Sequence, residues 1–285
     1  MFRTVSILSC FFMLNISFAF YDSQFMPEND LKIPIGMYLN KGLSQNDFNQ
    51  VIDRAIDIYR PLIMKKGGYL EIERNWDDDT VNAYAQRIGP IWQVAMFGGL
   101  ARHPKVTIDG FALVVCHEIG HHVGGAPKTP LFLGLNNWAS NEGQSDYFGS
   151  LKCLRRVFKN DNNQEIMESR EVPTFVIQKC SENFSEAEDQ AICERSAMAG
   201  YSLADLLNEL GGGASVDFET PDDSVVSQTN QAHPQAQCRL DTYFQGALCD
   251  ISYTVDVSDY DYRVGSCTRN GSDESGLRPL CWFKP

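Results

Sequence analysis

Apolar residues recur along this chain with both helical and strand periodicity, which predicts a fold that mixes helices and sheet. Residues 44–60 have apolar positions at helical spacing, with Ser44 as a suitable N-cap and Pro61 expected to end or kink the helix. Strands are predicted over residues 69–76, 81–85 and 91–97, with Gly98-Gly99 closing the last. Further helices are predicted over residues 107–123, 142–158 and 186–210, with Gly200 as a candidate break in the last.

In two stretches the apolar residues follow neither helical nor strand periodicity. Residues 20–43 mix apolar and polar positions and are expected to wrap the surface, and residues 214–231 are predicted to form a long loop. His103 precedes Pro104 in a predicted turn and is expected to be a surface histidine rather than a ligand.

The helix predicted over residues 107–123 carries the candidate chemistry. Either Thr107 or Asp109 could cap it, and the run from Phe111 to Val115 is apolar, so the helix is expected to be buried. His117 and His121 lie four residues apart and therefore share one face. Burying them is costly without partners, and a metal ion is the natural partner, although a polar helix face is the alternative.

His117-Glu118-Ile119-Gly120-His121 has the form H-E-x-x-H, in which two histidines bind zinc and the glutamate is a general base. Glu118 would then act on a water at the metal and would not be a ligand. A catalytic zinc needs a third protein ligand. The metzincin continuation is rejected because Pro127 stands where its third histidine should be.

The alternative third ligand is a glutamate from a second helix, and Glu142 and Asp146 share a helix face there. This region resembles the gluzincins, whose second helix carries N-E-x-x-S-D-x-x-G. The matching residues are Asn141, Glu142, Ser145, Asp146 and Gly149. The resemblance implies Glu142 as the third zinc ligand. It also implies that Asp146 accepts a hydrogen bond from a ligand histidine, His117 being the expected one, which would fix the aim of that ring.

Two further stretches resemble one gluzincin branch, the HtpX, CAAX-prenyl-protease and BepA type. Asn82-Ala83-Tyr84-Ala85 is followed by a strand that leads to Gly99-Leu100, and His233-Pro234 precedes Arg239 late in the chain. The resemblance implies that His233 donates a hydrogen bond to the tetrahedral oxyanion. Tyr147 is the alternative donor. The resemblance also implies that a strand upstream of the zinc helix pairs with the substrate backbone.

Residues 1–19 are predicted to be a secretory signal peptide, with Arg3, an apolar run and a small-x-small site at Ser17-Phe18-Ala19. Nine cysteines occur, and loss of Cys10 with this segment leaves eight, an even number that suggests disulfides in an oxidising compartment. The last four are expected to staple the C-terminal segment. Cys116 is expected to be a buried thiol or a disulfide partner rather than a metal ligand.

The formal net charge of −13 argues against nucleic acid or anionic membrane as a partner, and no later stretch is long and apolar enough to span a membrane. The expected fold class is α+β, a zincin-like domain over residues 20–213 with a disulfide-stapled segment over residues 214–285 that completes or caps it. Oligomeric state is not predicted.

The sequence thus predicts an exported zinc peptidase, periplasmic or extracellular, with one catalytic zinc ion and a peptide or protein substrate. An endopeptidase is the preferred form. Two alternatives stay open, namely a hydrolase of cell-wall peptides with the same ligands, and a non-catalytic secreted binding protein on a metallopeptidase fold.

Overall fold

A computed structural model describes residues 23–37, 42–130, 136–213, 215–269, 271 and 273–285. The predicted signal peptide, residues 1–19, lies outside the described residues. Within the described part, no helix is both long and apolar enough to cross a membrane.

Helices and strands alternate in the first half, and helices dominate the second. The strands are β1 (Ser23–Gln24), β2 (Tyr69–Asn75), β3 (Ala83–Ile88), β4 (Ile91–Phe97), β5 (Lys128–Pro130) and β6 (Asn136–Ser140). The helices are α1 (Gln45–Lys65), α2 (Gly98–Arg102), α3 (Ile108–Val123), α4 (Glu142–Phe148), α5 (Arg155–Phe158), α6 (Asn163–Glu168), α7 (Thr174–Asn183), α8 (Ala187–Gly211) and α9 (Ala236–Leu248). A π-helical segment, Gly149–Leu154, joins α4 to α5.

The main sheet has the strand order β1-β3-β4-β2. Strand β4 is internal, because it pairs antiparallel with β3 and parallel with β2. Strand β1 extends the sheet beyond β3 by two antiparallel residue pairs, Ser23 with Ala85 and Gln24 with Tyr84. The predicted α+β class with a small mixed sheet is confirmed. Strand β3 lies between β1 and β4, so β1 covers the side of β3 that faces away from β4.

Helix α3 runs through the middle of the fold, and every residue from Asp109 to Val123 is buried. Thr107 is its N-cap, with the hydroxyl accepting from the Gly110 amide at 3.0 Å. The helix contacts β3 and β4 of the sheet on one side and α1, α4 and α8 on others. Burial on all sides explains why the sequence before the motif is apolar around the whole helix.

Pro61 does not end its helix, and the candidate break at Gly200 is wrong. Helix α1 continues through Pro61 to Lys65, and Ile63 beyond the proline is fully buried, so packing outweighs the lost backbone bond. Helix α8 is unbroken at Gly200, where a Cβ atom would lie 2.6 Å from the Tyr243 Cβ. Gly200 therefore allows close packing of α8 against α9.

The eight cysteines among the described residues form four disulfides, as expected. The pairs are Cys116–Cys153, Cys180–Cys193, Cys238–Cys281 and Cys249–Cys267. The last four cysteines pair among themselves. Disulfides of this number are consistent with folding in an oxidising compartment.

Two surface expectations are wrong. Phe25 and Met26, within the stretch expected to wrap the surface, are fully buried in the main core. His103 is also buried, with its Nε2 4.0 Å from a carboxylate oxygen of Glu209. An isolated apolar pair in a stretch without a period gives no sequence signal for burial, and the partner of His103 is far along the chain.

Lys152 generates a prediction on stability. Its ammonium group donates to the carbonyls of Ser252 at 2.7 Å and Ile251 at 3.4 Å. Burial, followed by the charges of Arg155 and Arg156, lowers the pKa of Lys152 to about 7. Between this value and an unfolded pKa of about 10.4, the unfolded chain binds one proton more, so this group makes stability rise with pH there.

The substitution Lys152→Met removes that titration. The free energy of unfolding is measured by chemical denaturation at pH 6 and pH 9. From the lower to the higher pH it should rise by about 2 kcal/mol more for wild type than for Lys152→Met. The exposed control Lys159→Met should show the same rise as wild type. Parallel pH curves for wild type and Lys152→Met would show that Lys152 stays charged in the folded chain.

Candidate metal centre

Two helices bring the predicted ligands together. His117 and His121 lie one turn apart on α3, and Glu142 is the first residue of α4. Asn141 caps α4, its side-chain oxygen accepting from the Gln144 amide at 2.9 Å. The cap fixes where α4 begins and therefore where the Glu142 side chain starts. All three side chains are buried.

The donor atoms of these three residues converge. His117 Nε2 lies 3.1 Å from His121 Nε2 and 3.2 Å from Glu142 Oε2. His121 Nε2 lies 3.8 Å from Glu142 Oε1. A tetrahedral zinc with bonds of about 2.0–2.2 Å separates its ligand atoms by about 3.3 Å. The spacing and the donor types therefore fit a zinc ion, and this group could bind a metal.

The far side of each histidine ring is held by an acceptor. His117 Nδ1 donates to Asp146 Oδ1 at 2.7 Å, and His121 Nδ1 donates to the Ser140 carbonyl at 2.9 Å. The Ser145 hydroxyl lies 3.0 Å from the same nitrogen of His121. These bonds leave both Nε2 atoms turned inward, which is the orientation that metal-binding histidines need.

Asp146 is itself held on several sides. Arg239 donates to both of its oxygens at 2.8 Å, and the Tyr243 hydroxyl donates to Oδ1 at 2.8 Å. Burial by itself raises the pKa of Asp146, but the charges of Arg239 and His117 outweigh it, so the pKa lies below its usual range. Asp146 is therefore an ionised acceptor in the core, because a full guanidinium charge accompanies it.

The electrostatics favour a cation between the ligands. Burial raises the pKa of Glu142, yet the neighbouring histidines, His121 first, hold it well below its usual range. Burial lowers the pKa of His121 to about 4. Burial also lowers the pKa of His117, but Asp146 and Glu142 raise it to about 9 overall. A divalent cation placed there would replace the proton on His117 Nε2, which faces Glu142, while the Nδ1 proton stays on its bond to Asp146.

Glu118 and His233 lie near this group. Glu118 is buried, with Oε2 4.0 Å from His121 Nε2. His233 is part-exposed; its Nε2 lies 3.4 Å from Glu142 Oε2 and donates to the Gln24 carbonyl at 2.7 Å. Tyr147, the alternative oxyanion donor, is directed elsewhere, since its hydroxyl donates to the Gly276 carbonyl.

Sequence reasoning missed two residues of this site. Tyr243 lies four residues after Arg239 on α9, and that spacing could have indicated a shared face. Ser23 has no such signal. Its hydroxyl donates to Glu142 Oε1 at 2.7 Å and lies 2.9 Å from His121 Nε2. A lone serine far from the motif in sequence cannot be connected to it without the fold.

Two other groups of candidate ligand atoms occur among the described residues. Each contains two cysteines that are already joined, Cys238–Cys281 beside Asp222 and Cys249–Cys267 beside Asp250. Sulfur in a disulfide is not a thiolate ligand. The group on α3 and α4 is therefore the candidate that retains its donors.

No protein-family model, curated protein or solved structure matches this chain. The likeness to gluzincins is therefore one of motifs. The geometry by itself shows a buried group of two histidines and one glutamate that could bind a metal ion.

Asp146→Asn tests the support of His117. An amide accepts a hydrogen bond more weakly and leaves the Arg239 charge uncompensated, so zinc affinity should fall 10- to 100-fold, as is typical for such partners. Competition with a chelating indicator measures it. The exposed Asp57→Asn should leave the affinity unchanged. Wild-type affinity in Asp146→Asn would show that His117 needs no such support.

Proposed function

We propose that this chain is an exported zinc-dependent peptidase, an endopeptidase that hydrolyses peptide bonds by means of a general base. The observation that carries the proposal is the placement of Glu118 on the same buried helix turn as His117 and His121, with Glu142 facing them. Zinc bound there would lower the pKa of a water and polarise a carbonyl.

The chain's own groups supply the proton transfers. Glu118 accepts the proton of the attacking water and returns it to the leaving amine. His233 donates to the oxygen that gains charge in the tetrahedral state. Support for this role comes from its present bond, since His233 already donates to a peptide carbonyl, that of Gln24, beside Glu142.

The peptide substrate takes the place of β1 and lies extended along β3. Strand β1 shows that an extended segment on this edge passes beside the ligand group. Backbone hydrogen bonds of this kind provide affinity without regard to side chains, which suits an endopeptidase.

We further propose that residues 214–285 complete the catalytic domain of residues 20–213 and do not merely cap it. The support is that Arg239 and Tyr243, both from this segment, hold Asp146 inside the core. Membership of the gluzincins, and of their HtpX-like branch, belongs to the same proposal. It is supported by the approach of His233 and Arg239 to the two motif helices.

The alternatives make different demands on Glu118. A binding protein has no use for a general base, and a carboxylate retained at this depth is costly. A cell-wall-peptide hydrolase would use the same residues and differ only in substrate, so cleavage assays with proteins, random peptides and cell-wall peptides separate the two.

Glu118→Gln should abolish turnover while zinc stays bound, because the amide cannot accept the proton. A peptide-library assay on the mature, oxidised protein measures cleavage, and metal analysis of the same sample measures zinc. Glu71→Gln, an exposed position on β2, is the matched control and should behave as wild type. Full activity in zinc-loaded Glu118→Gln would eliminate the mechanism.

Glu142→Ala should lower zinc affinity by more than about 100-fold, since it removes a ligand and not merely a supporting partner. Equilibrium dialysis against chelators of graded strength gives the value. Retention of stoichiometric zinc by this variant, with the fold intact by circular dichroism, would place the metal elsewhere.

A further inference from the structure

A basic cavity lies beside the candidate metal site. Its volume is about 450 Å³, which is within the range of small-ligand pockets. Among the described residues, its charged lining consists of three cations and one anion, namely Lys66, Arg87, Lys128 and Asp259. The formal net charge of the whole chain is −13. The cavity therefore concentrates positive charge in a protein that is acidic as a whole.

Arg87 is held in a fixed position at the wall of the basic cavity. Its guanidinium carbon lies 3.4 Å from the centre of the Trp92 ring and 4.8 Å from the centre of the Trp138 ring. The ring of His122 stacks on the same two tryptophan rings, and the His122 carbonyl accepts from Arg87 Nη2 at 3.0 Å. His122 directly follows the candidate ligand His121 on α3, so this wall of the cavity adjoins the metal site.

One carboxylate serves the three cations of the cavity. Asp259 pairs with Lys128 at 2.7 Å and with Lys66 at 2.9 Å. Arg87 forms no salt bridge with a described residue, and burial lowers its pKa to about 10, although the charge of Asp259 acts in the opposite direction. At neutral pH Arg87 is therefore a charged, part-buried guanidinium group without a counter-ion of its own. Such a group suits a carboxylate, to which it can offer two parallel N–H donors.

The strand register places the basic cavity along the proposed path of the substrate. Ser23 of β1 lies opposite Ala85 of β3, and the Ser23 hydroxyl donates to Glu142 Oε1, so this strand position faces the ligand group. Arg87 follows Ala85 by two residues and therefore points to the same face of the sheet. Strand β1 is antiparallel to β3. In a peptide that takes its place, the residue two positions before the one opposite Ala85 lies opposite Arg87, about 7 Å along the strand.

We propose, on the basis of the zinc peptidase function above, that the basic cavity is a substrate subsite for an Asp or Glu side chain. The acidic residue stands two positions before the residue that faces the ligand group. The cleaved bond lies on one side or the other of that facing residue, so the acidic residue is the second or third before the bond. Arg87 pairs with its carboxylate, and Lys66 and Lys128 add attraction at longer range.

Peptide binding to the full mature chain tests the subsite, with zinc bound and with Glu118→Gln to prevent cleavage. The probes are heptapeptides of one neutral sequence, blocked at both ends, in which a single position carries Glu or Gln. Trp92 and Trp138 line the cavity, so tryptophan fluorescence reports the binding. At one position the Glu peptide should bind about tenfold more tightly than the Gln peptide. Equal affinity at every position overturns the proposal.

Substitutions in the cavity test whether Arg87 recognises the carboxylate. Arg87→Met should remove the preference for Glu, Arg87→Lys should retain part of it, and the exposed control Arg60→Met should retain all of it. Lys66→Met changes an exposed side chain, should leave the fold intact and should lower the preference about threefold. A structural effect would weaken both peptides alike, so the ratio of their affinities is the readout. An unchanged ratio in Arg87→Met, or in Lys66→Met if the first variant does not fold, overturns the assignment to this cavity.

The subsite and the peptidase function can fail separately. Cleavage of a peptide library by wild type without enrichment of Asp or Glu at the second or third position before the bond overturns the subsite and leaves the peptidase. Binding that depends on Glu and Arg87, together with no cleavage of any peptide by wild type, leaves a carboxylate site and overturns the peptidase function.

Discussion

The carboxylate of Asp146 is where α3 and α4, the helices of the candidate metal site, meet helix α9 and the N-terminal segment. It accepts from His117 on one side and from Arg239 and Tyr243 on the other, and Arg239 also holds the Phe25 carbonyl. A buried carboxylate is tolerated only when its charge and lone pairs are matched. The aim of His117 therefore depends on residues far from it in sequence, and the ligand geometry is a property of the whole fold.

Local features of the chain were predictable because their causes are local. The four-residue spacing of His117 and His121, a cap at Thr107 or Asp109 and the match around Glu142 each depend on neighbouring residues. The structure places the cap at Thr107 and brings His117, His121 and Glu142 together. Strand β4 and the pairing of the last four cysteines among themselves also followed from short patterns. Pro61 does not end α1 and Gly200 does not break α8, because tertiary packing outweighs their intrinsic preferences.

What the sequence could not predict is the arrival of distant segments at the site. Nothing near Ser23 marks it as a neighbour of Glu142, and Arg239 was placed near the site only by a family resemblance. Both positions follow from strand pairing and helix packing across the molecule. Such contacts depend on which apolar surfaces the whole fold can bury against each other. Periodicity along the chain therefore does not determine them.

The disulfides give the site a dependence on cellular location. Cys116 directly precedes His117 and is tied to Cys153, while Cys238 directly precedes Arg239 and Cys249 follows the other end of α9. Three of the four covalent links therefore border the helices that aim the ligands. Thiols stay reduced in most cytoplasms, so in such a compartment the chain would lack the covalent framework around its candidate metal ligands.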